Sequence, residues 1–318
     1  VSAPRQVLVT GAAGFVGSTL VERLLDEGRE VVGVDNFDPF YAEEQKRRNL
    51  SRALDHAAFR LERADIRDAE AMAGIFAAGF DGVAHLAALA GVRPSLERPS
   101  VYADVNVHGA SVVLEAACRS GLPRVVFASS SSVYGERQGG PFRETDPVER
   151  PVSPYAATKR AGELVAHSFH HAHGLPVSCL RIFTAYGPRQ RPDLAIRKFA
   201  ECMLRGQPVP VYGDGSSLRD FTYVDDLVDG LVRALDRDLG FAILNLGAGR
   251  KVSVLEVIKQ LEQSLGVPAR IEWLPKQVGD VSRTWADIAA ARAALGYAPA
   301  VPFPEGIERF VRWLERER

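Results

Sequence analysis

At 318 residues the chain is long for one domain and, at roughly 150 residues each, points to about two. Lys and Arg number 39 against 40 Asp and Glu, a net charge of −1. That excludes a surface built as a broad cationic footprint for nucleic acid or anionic membrane, but leaves room for a local basic pocket. Cys118, Cys179 and Cys202 are too few and too scattered for a disulfide framework or a zinc site, and read as buried apolar thiols. No apolar run approaches the roughly 18 residues of a membrane span, and the opening Val-Ser-Ala-Pro-Arg lacks the apolar stretch of a signal peptide. The expectation is a cytoplasmic protein with no metal, membrane or nucleic-acid partner.

Apolar runs alternate with helical patterns along the chain. Val7-Leu8-Val9 reads as a buried strand, and Ser18 to Glu27 as a helix ended by Gly28. Val31 to Val34, Val83 to Leu86, Val125 to Ala128 and Val177 to Ile182 read as further strands. Ala103 to Ser120 and Tyr155 to His173 read as the helices between them. Such alternation specifies an α/β protein, a parallel sheet with helices on both faces. Past about residue 184 proline and glycine rise, and the tail ends in two amphipathic helices, Val254 to Leu265 and Pro304 to Glu317. The expected division is a first domain over 1–183 and a smaller one over most of 184–318. Phe221 to Leu235 (a helix) and Ile243 to Leu246 (a strand) would rejoin the first, over about 221–248.

Thr10-Gly11-Ala12-Ala13-Gly14-Phe15-Val16-Gly17 follows the first strand and opens the first helix. Gly11 permits the tight turn, Gly14 lets backbone approach a pyrophosphate, and Gly17 allows close helix–strand packing. The helix N-terminus adds N–H donors and partial positive charge. The spacing is G-x-x-G-x-x-G, where the common dinucleotide fingerprint is G-x-G-x-x-G. Asp35 ends the second strand, 18 residues beyond Gly17. A carboxylate there accepts from ribose hydroxyls and repels a 2′-phosphate, which specifies NAD over NADP. Asp65-Ile66, after another strand, brackets the adenine or caps a loop.

Tyr155 and Lys159 sit four apart, on one face of a helix. Free tyrosine, with a pKa of about 10, is a poor base at neutral pH. A nearby ammonium and an oxidised nicotinamide both favour phenolate, making the pair a general base. Upstream, the strand Val125 to Ala128 runs into Ser129-Ser130-Ser131-Ser132-Val133-Tyr134-Gly135, hydroxyls suited to a substrate oxygen.

These elements, in this order, resemble the extended short-chain dehydrogenase/reductase family, in its nucleotide-sugar branch. The resemblance covers nearly the full chain and includes the glycine turn, Asp35-Asn36, Asp65-Ile66, His85-Leu86-Ala87-Ala88, Asn106, the serine run, Tyr155/Lys159 and Arg219 to Asp226. It implies a doubly wound (Rossmann) sheet, a second, smaller mixed α/β substrate-binding domain, a tightly held NAD and a homodimer built partly by the 103–120 and 155–173 helices. It implies cofactor contacts from Gly11, Gly14, Phe15, Val16, Gly17, Asp35, Asn36, Asp65, Ile66, Leu86, Ala87, Ala88, Asn106, Tyr155 and Lys159. By its S-S-x-x-V-Y-G segment Ser130 is the catalytic hydroxyl, with Ser131 and Ser132 left open.

Three members of the branch need different chemistry. A 4,6-dehydratase needs an acid and a base beside the hydroxyl, and those slots hold Ser131-Ser132 here. UDP-glucose 4-epimerases of the branch carry Asn after Phe where this chain has Phe183-Thr184, and Arg-Arg where it has Lys276-Gln277. The segments Asn36 to Tyr41, Ala90 to Ser95 (with Arg93), Phe183 to Ala195 and Gly279-Asp280-Val281 resemble UDP-glucuronate 4-epimerases. That resemblance implies a sugar carboxylate held by Thr184 and Arg191 beside the serines, with Arg189 the nearest competitor. It further implies diphosphate on Arg219 and uracil along Val209 to Tyr212, Val211 included, with Arg93 and Asp280 nearby. Runners-up are a UDP-hexose 4-epimerase, a UDP-glucuronate decarboxylase and, from another class, a non-catalytic NAD-binding regulatory module. The histidines at 167, 170, 171 and 173 read as a solvated helix end, and Lys46-Arg47-Arg48 as a solvated helix face.

Overall fold

The computed structural model describes residues 3, 5–121, 123–277 and 279–317. One sheet holds β1 (Gln6–Thr10), β2 (Glu30–Val34), β3 (Phe59–Glu62), β4 (Gly82–His85), β5 (Arg124–Ser130), β6 (Val177–Ile182) and a seventh strand, Phe241–Leu246. All seven run parallel, in the order seventh-β6-β5-β4-β1-β2-β3. The strand order therefore reverses between β1 and β4. In doubly wound sheets the ligand crevice opens at that reversal, beyond the C-terminal strand ends.

Alternation along β1 feeds two cores. Val7 and Val9 pack with Leu20, Leu24, Leu227 and Leu231, from the Phe15–Asp26 and Val224–Leu235 helices. Leu8 packs on the other face with Phe76, Val113 and Ala166, from helices Ala69–Phe76, Gly109–Arg119 and Pro154–His173. A third core joins Phe199, Val211, Phe221, Leu261 and Phe310, under helices Ala195–Leu204, Val254–Leu265 and Phe303–Arg316.

Short two-stranded ladders lie outside the seven-stranded sheet. Thr184–Tyr186 pairs in parallel with Phe221–Tyr223, and Val209–Tyr212 with Ile271–Leu274. Asp220, wholly buried, ties three segments together. Its carboxylate accepts from the backbone N–H groups of Ala248, Gly249 and Ala286 at 2.7–3.1 Å.

Several sequence expectations shift. The helix expected from Phe221 begins at Val224, because Phe221–Tyr223 is spent on the ladder. The single helix expected over 103–120 is two helices, Pro99–Ala103 and Gly109–Arg119, joined by one π-helical turn, Asp104–His108. Only Cys179 is buried; Cys118 and Cys202 are half-buried. Arg47 and Arg48 are exposed, but Lys46 of the same run is buried, 3.7 Å from Asp35. The helix Glu43–Asn49 turns one face inward, and Lys46 lies on it with Gln45 and Asn49. His167, His171 and His173 are exposed, and the His170 Nδ1 bonds to the Leu175 carbonyl.

Gly162 lies inside the Pro154–His173 helix with its Cα against the Phe127 ring, and a Cβ there would overlap that ring. Helix propensity alone makes Gly→Ala stabilising by about 1 kcal/mol. Overpacking a close-packed core costs about 1–3 kcal/mol, and Phe127 is buried in the sheet core. Gly162→Ala is expected to lower the melting temperature; a rise in thermal denaturation would show that the ring yields freely.

Candidate active site

A cavity of about 500 Å³ opens at the C-terminal ends of β1, β4 and β5. Its floor is the glycine turn. Gly11 takes φ +72°, and a Cβ on Gly17 would overlap the Gly11 carbonyl oxygen. Gly17 therefore serves the closeness of turn and helix, more than packing of helix on strand. Gly14 caps the Phe15–Asp26 helix without a side-chain hydrogen bond. The first-turn N–H groups are thus left for a bound anion.

Asp35 lies at the rim, buried. It accepts from Ala13 N at 3.0 Å and Phe37 N at 2.8 Å, which leaves carboxylate lone pairs for hydroxyl donors. Phe37 takes φ +57°, a conformation uncommon outside glycine, held by that second bond. Asn36, Ile66, Leu86, Ala87 and Ala88 complete the wall. This cradle fits a dinucleotide: bare backbone for a pyrophosphate, an acceptor for ribose, and apolar walls for flat rings.

At the other end stand Ser130, Ser131, Ser132, Tyr155, Lys159, Thr184 and Arg191. The Pro154–His173 helix begins with Ser153, whose hydroxyl accepts from Ala156 N, and Pro154 at its first position. Tyr155 thereby sits on the first turn with Lys159 one turn on. Burial pushes the Tyr155 phenol above its ordinary value, while a hydrogen bond with Ser130 and the charge of Arg191 pull it down. Arg191 is thus a further cation acting on the phenol, beside Lys159 one turn along the helix. The Lys159 Nζ donates to the Ala128 carbonyl at 2.8 Å, and burial lowers its pKa to about 8.

The four serines separate by their partners. Ser129 donates to Glu163 Oε1 at 2.5 Å. Ser130 bonds Tyr155 and accepts from Ser132 N at 3.1 Å. Ser131 and Ser132 also border a second hollow of about 150 Å³, with Thr184, Arg219 and Asp280. Burial lowers the Arg219 pKa, and Asp280 and Glu136 act to raise it while Arg93 lowers it. A cation so placed gains from an anionic ligand.

Four expected residues lie outside both hollows. Asn106, at the π-helical turn, is buried; its amide accepts from Leu89 N and donates to the Leu89 carbonyl and Thr158. It fixes the wall segment from behind. Asp65 accepts from Arg67 and Asn36, which hold its carboxyl well below the usual range. Arg93 pairs with Asp280 at 2.7 Å and stacks on Tyr212. The Val211 side chain belongs to the third core, since alternation turns Pro210 and Tyr212 outward instead.

Sequence reasoning missed Phe40, Tyr41, Lys46 and Asp193, all on the cavity wall. Their signal was weak: Asp193 follows Arg191 by two residues, and Lys46 looked like part of a surface run. Arg189, the competitor of Arg191, is turned to Glu22 at 2.7 Å.

Residues 7–247 match the NAD dependent epimerase/dehydratase family. The chain is 42% identical to a UDP-glucuronate 4-epimerase of Thermodesulfobacterium geofontis, over 96% of this chain and 95% of that one. It superposes with TM-score 0.94 and 36% identity on the crystal structure of a Bacillus cereus UDP-glucuronic acid 4-epimerase in complex with UDP-glucuronic acid and NAD, covering 98% and 100% of the two chains. A UDP-glucose 4-epimerase of Thermotoga maritima with UDP-glucose superposes at TM-score 0.90 and 34% identity, covering 98% and 99%. A family match over residues 7–247 that spans the glycine turn and the Tyr155/Lys159 pair, together with full-length relatives, shows that this chain belongs to the NAD dependent epimerase/dehydratase family.

Proposed function

We propose that the protein is an NAD-dependent isomerase that interconverts UDP-glucuronate and UDP-galacturonate at C4. One observation carries this reading: a single cavity joins the dinucleotide cradle to Ser130, Tyr155, Thr184 and Arg191. The likeness to UDP-glucuronate 4-epimerases supports the choice of sugar. The lobe over 1–183, rejoined by about 221–248, carries the cofactor; most of 184–318 closes on the nucleotide sugar. Gly11 to Gly17 hold the pyrophosphate and Asp35 the adenosine ribose. NAD bound there would supply the oxidising power, accepting hydride from one face of C4 and giving it back to the other.

Tyr155 takes the proton of the 4-hydroxyl, with Ser130 sharing that oxygen. Lys159, anchored on Ala128, keeps its remaining N–H donors for the cofactor side. The 4-keto sugar turns about its diphosphate linkage, anchored by Arg219, and Tyr155 returns the proton to the opposite epimer. Arg191, with Thr184, grips the carboxylate; the guanidinium suits a planar anion through paired charge-assisted bonds. A 4-keto uronate is a β-keto acid, so this grip also keeps the C5–carboxylate bond out of line with the carbonyl π-system and prevents loss of CO₂.

The same reading includes a homodimer in which helices Gly109–Arg119 and Pro154–His173 pack across the interface. Leu164, more than half exposed on the second helix, supports it. It also places the protein in the cytoplasm, where the three unbridged cysteines stay reduced. Among the described residues no helix is long and apolar enough to cross a membrane.

Incubation with UDP-glucuronate and, separately, UDP-glucose tests the activity by mass and NMR. The expected product is an isomer of UDP-glucuronate with unchanged mass; loss of CO₂ would make the protein a decarboxylase. Tyr155→Phe should keep its bound NAD, measured by chromatography after denaturation, and lose about 10²–10⁴-fold in turnover. Full activity in that variant rules Tyr155 out as the base. Arg191→Ala should weaken UDP-glucuronate about 10-fold or more, the scale of a lost charged hydrogen bond, and leave UDP-glucose nearly unchanged. Equal losses for both sugars would remove Arg191 from the carboxylate.

A further inference from the structure

Arg191 is already engaged by a carboxylate of this chain. Its Nε donates to Asp193 Oδ1 at 2.9 Å and its Nη2 to Asp193 Oδ2 at 2.7 Å. Both residues line the main cavity beside Thr184 and Tyr155, and the guanidinium lies over the Phe40 ring. The pairing is side-on. It uses two of the five guanidinium N–H groups and leaves three, including both on Nη1. Those three include an end-on pair that can take a second planar anion without releasing the first.

We propose that Asp193 is a built-in counter-ion that sets how tightly Arg191 grips a substrate carboxylate, and that it thereby determines specificity between acidic and neutral sugars. This rests on the reading of Arg191 as the carboxylate clamp. Two carboxylates on one guanidinium repel each other, so Asp193 loosens the grip while fixing the plane of the fork. Burial opposes the charge on Arg191, and the bond and charge of Asp193, with smaller help from Tyr155 and Tyr41, outweigh it and keep the side chain cationic. A neutral hexose then meets a cation that is already compensated. A uronate meets one that holds it, yet releases it when the ring must turn.

Removing Asp193 also has an opposing geometric effect, since the fork loses one anchor. Asn at 193 still accepts one hydrogen bond from Nε, however, and what it removes is a whole negative charge beside the bound anion. The charge effect therefore governs.

The test uses NAD-loaded protein, with UDP-glucuronate and UDP-glucose titrated separately by calorimetry and turnover measured in parallel. In Asp193→Asn the Kd for UDP-glucuronate should fall at least threefold, with kcat falling as release slows. The Kd for UDP-glucose should stay within about 1.5-fold. Asp193→Glu, which keeps the charge, should return both values toward wild type. Asp193→Ser, uncharged and smaller, should tighten the uronate as Asn does. Weaker or unchanged binding of UDP-glucuronate in both uncharged variants overturns the proposal, as does an equal shift for the two sugars. A wild-type protein that turns over UDP-glucose and ignores UDP-glucuronate overturns instead the functional reading on which it stands.

Discussion

The pairing of Glu163 with Arg181 is the constraint on which the site depends. Both side chains are almost wholly buried, and the contact is bidentate at 2.9 Å. Glu163 lies two turns beyond Tyr155 and one beyond Lys159 on the same helix face; Arg181 lies on β6, and Ser129 on β5 donates to the same carboxylate. Burial acts to raise the Glu163 pKa, and bonds from Arg181, Ser129 and Arg160 overcome it, leaving the group ionised. Removing one partner from such a pair costs about 3–5 kcal/mol, because the other charge is left buried alone. A well-packed apolar pair of similar volume can be equally stable, so stability alone does not account for charges here. What the ions add is direction. They set the helix against the ends of β5 and β6 in one register, and with it the distance between Ser130 and Tyr155.

The same pair sorts the serine run. Ser129 is committed to Glu163, which leaves Ser130 to face Tyr155. Lys159 in turn reaches the Ala128 carbonyl, the next residue back on β5. Three successive residues of one strand are thus each bound to the helix that carries Tyr155. On the far side, the Thr184 N–H donates to the Asp220 carbonyl at 3.0 Å, and Arg219 precedes Asp220 in the chain. The residue read as facing the sugar carboxylate and the one read as facing the phosphates are therefore linked by a single ladder.

Local chemistry was legible in the sequence, and partnership was not. The glycine turn, Asp35 and the Tyr155/Lys159 spacing each encode a backbone or helix-face requirement that holds wherever the segment folds. The parallel sheet followed from strand–helix alternation for the same reason. Val211 was read as lining a ligand because a short strand looks alike on either face until its neighbours choose one. Lys46 was read as solvated because its run is charged, although the inward face of that short helix also takes one member of the run. Asn106 was assigned to the cofactor by resemblance, while its amide is spent on Leu89 and Thr158. Its place at a π-helical turn leaves no mark in residue type. Glu163 was within reach, since it repeats the four-residue spacing of Tyr155 and Lys159.

Local charge balance explains how a nearly neutral chain can serve a multiply charged ligand. Three cations near the two hollows stand close to a carboxylate: Lys46 by Asp35, Arg93 by Asp280, Arg191 by Asp193. Paired charges of this kind limit the desolvation penalty of a buried cation while no ligand is bound. They also fix each side chain at one edge, so that the opposite edge is presented to an incoming anion without a search among rotamers. Arg219 differs: its side chain donates to the Leu218 carbonyl, and burial lowers its pKa. On the reading of Arg219 as the phosphate contact, it is the cation with the least internal compensation to give up. A net charge of −1 is thus compatible with a strongly anionic ligand, because the two hollows set compensated pairs around one less compensated arginine.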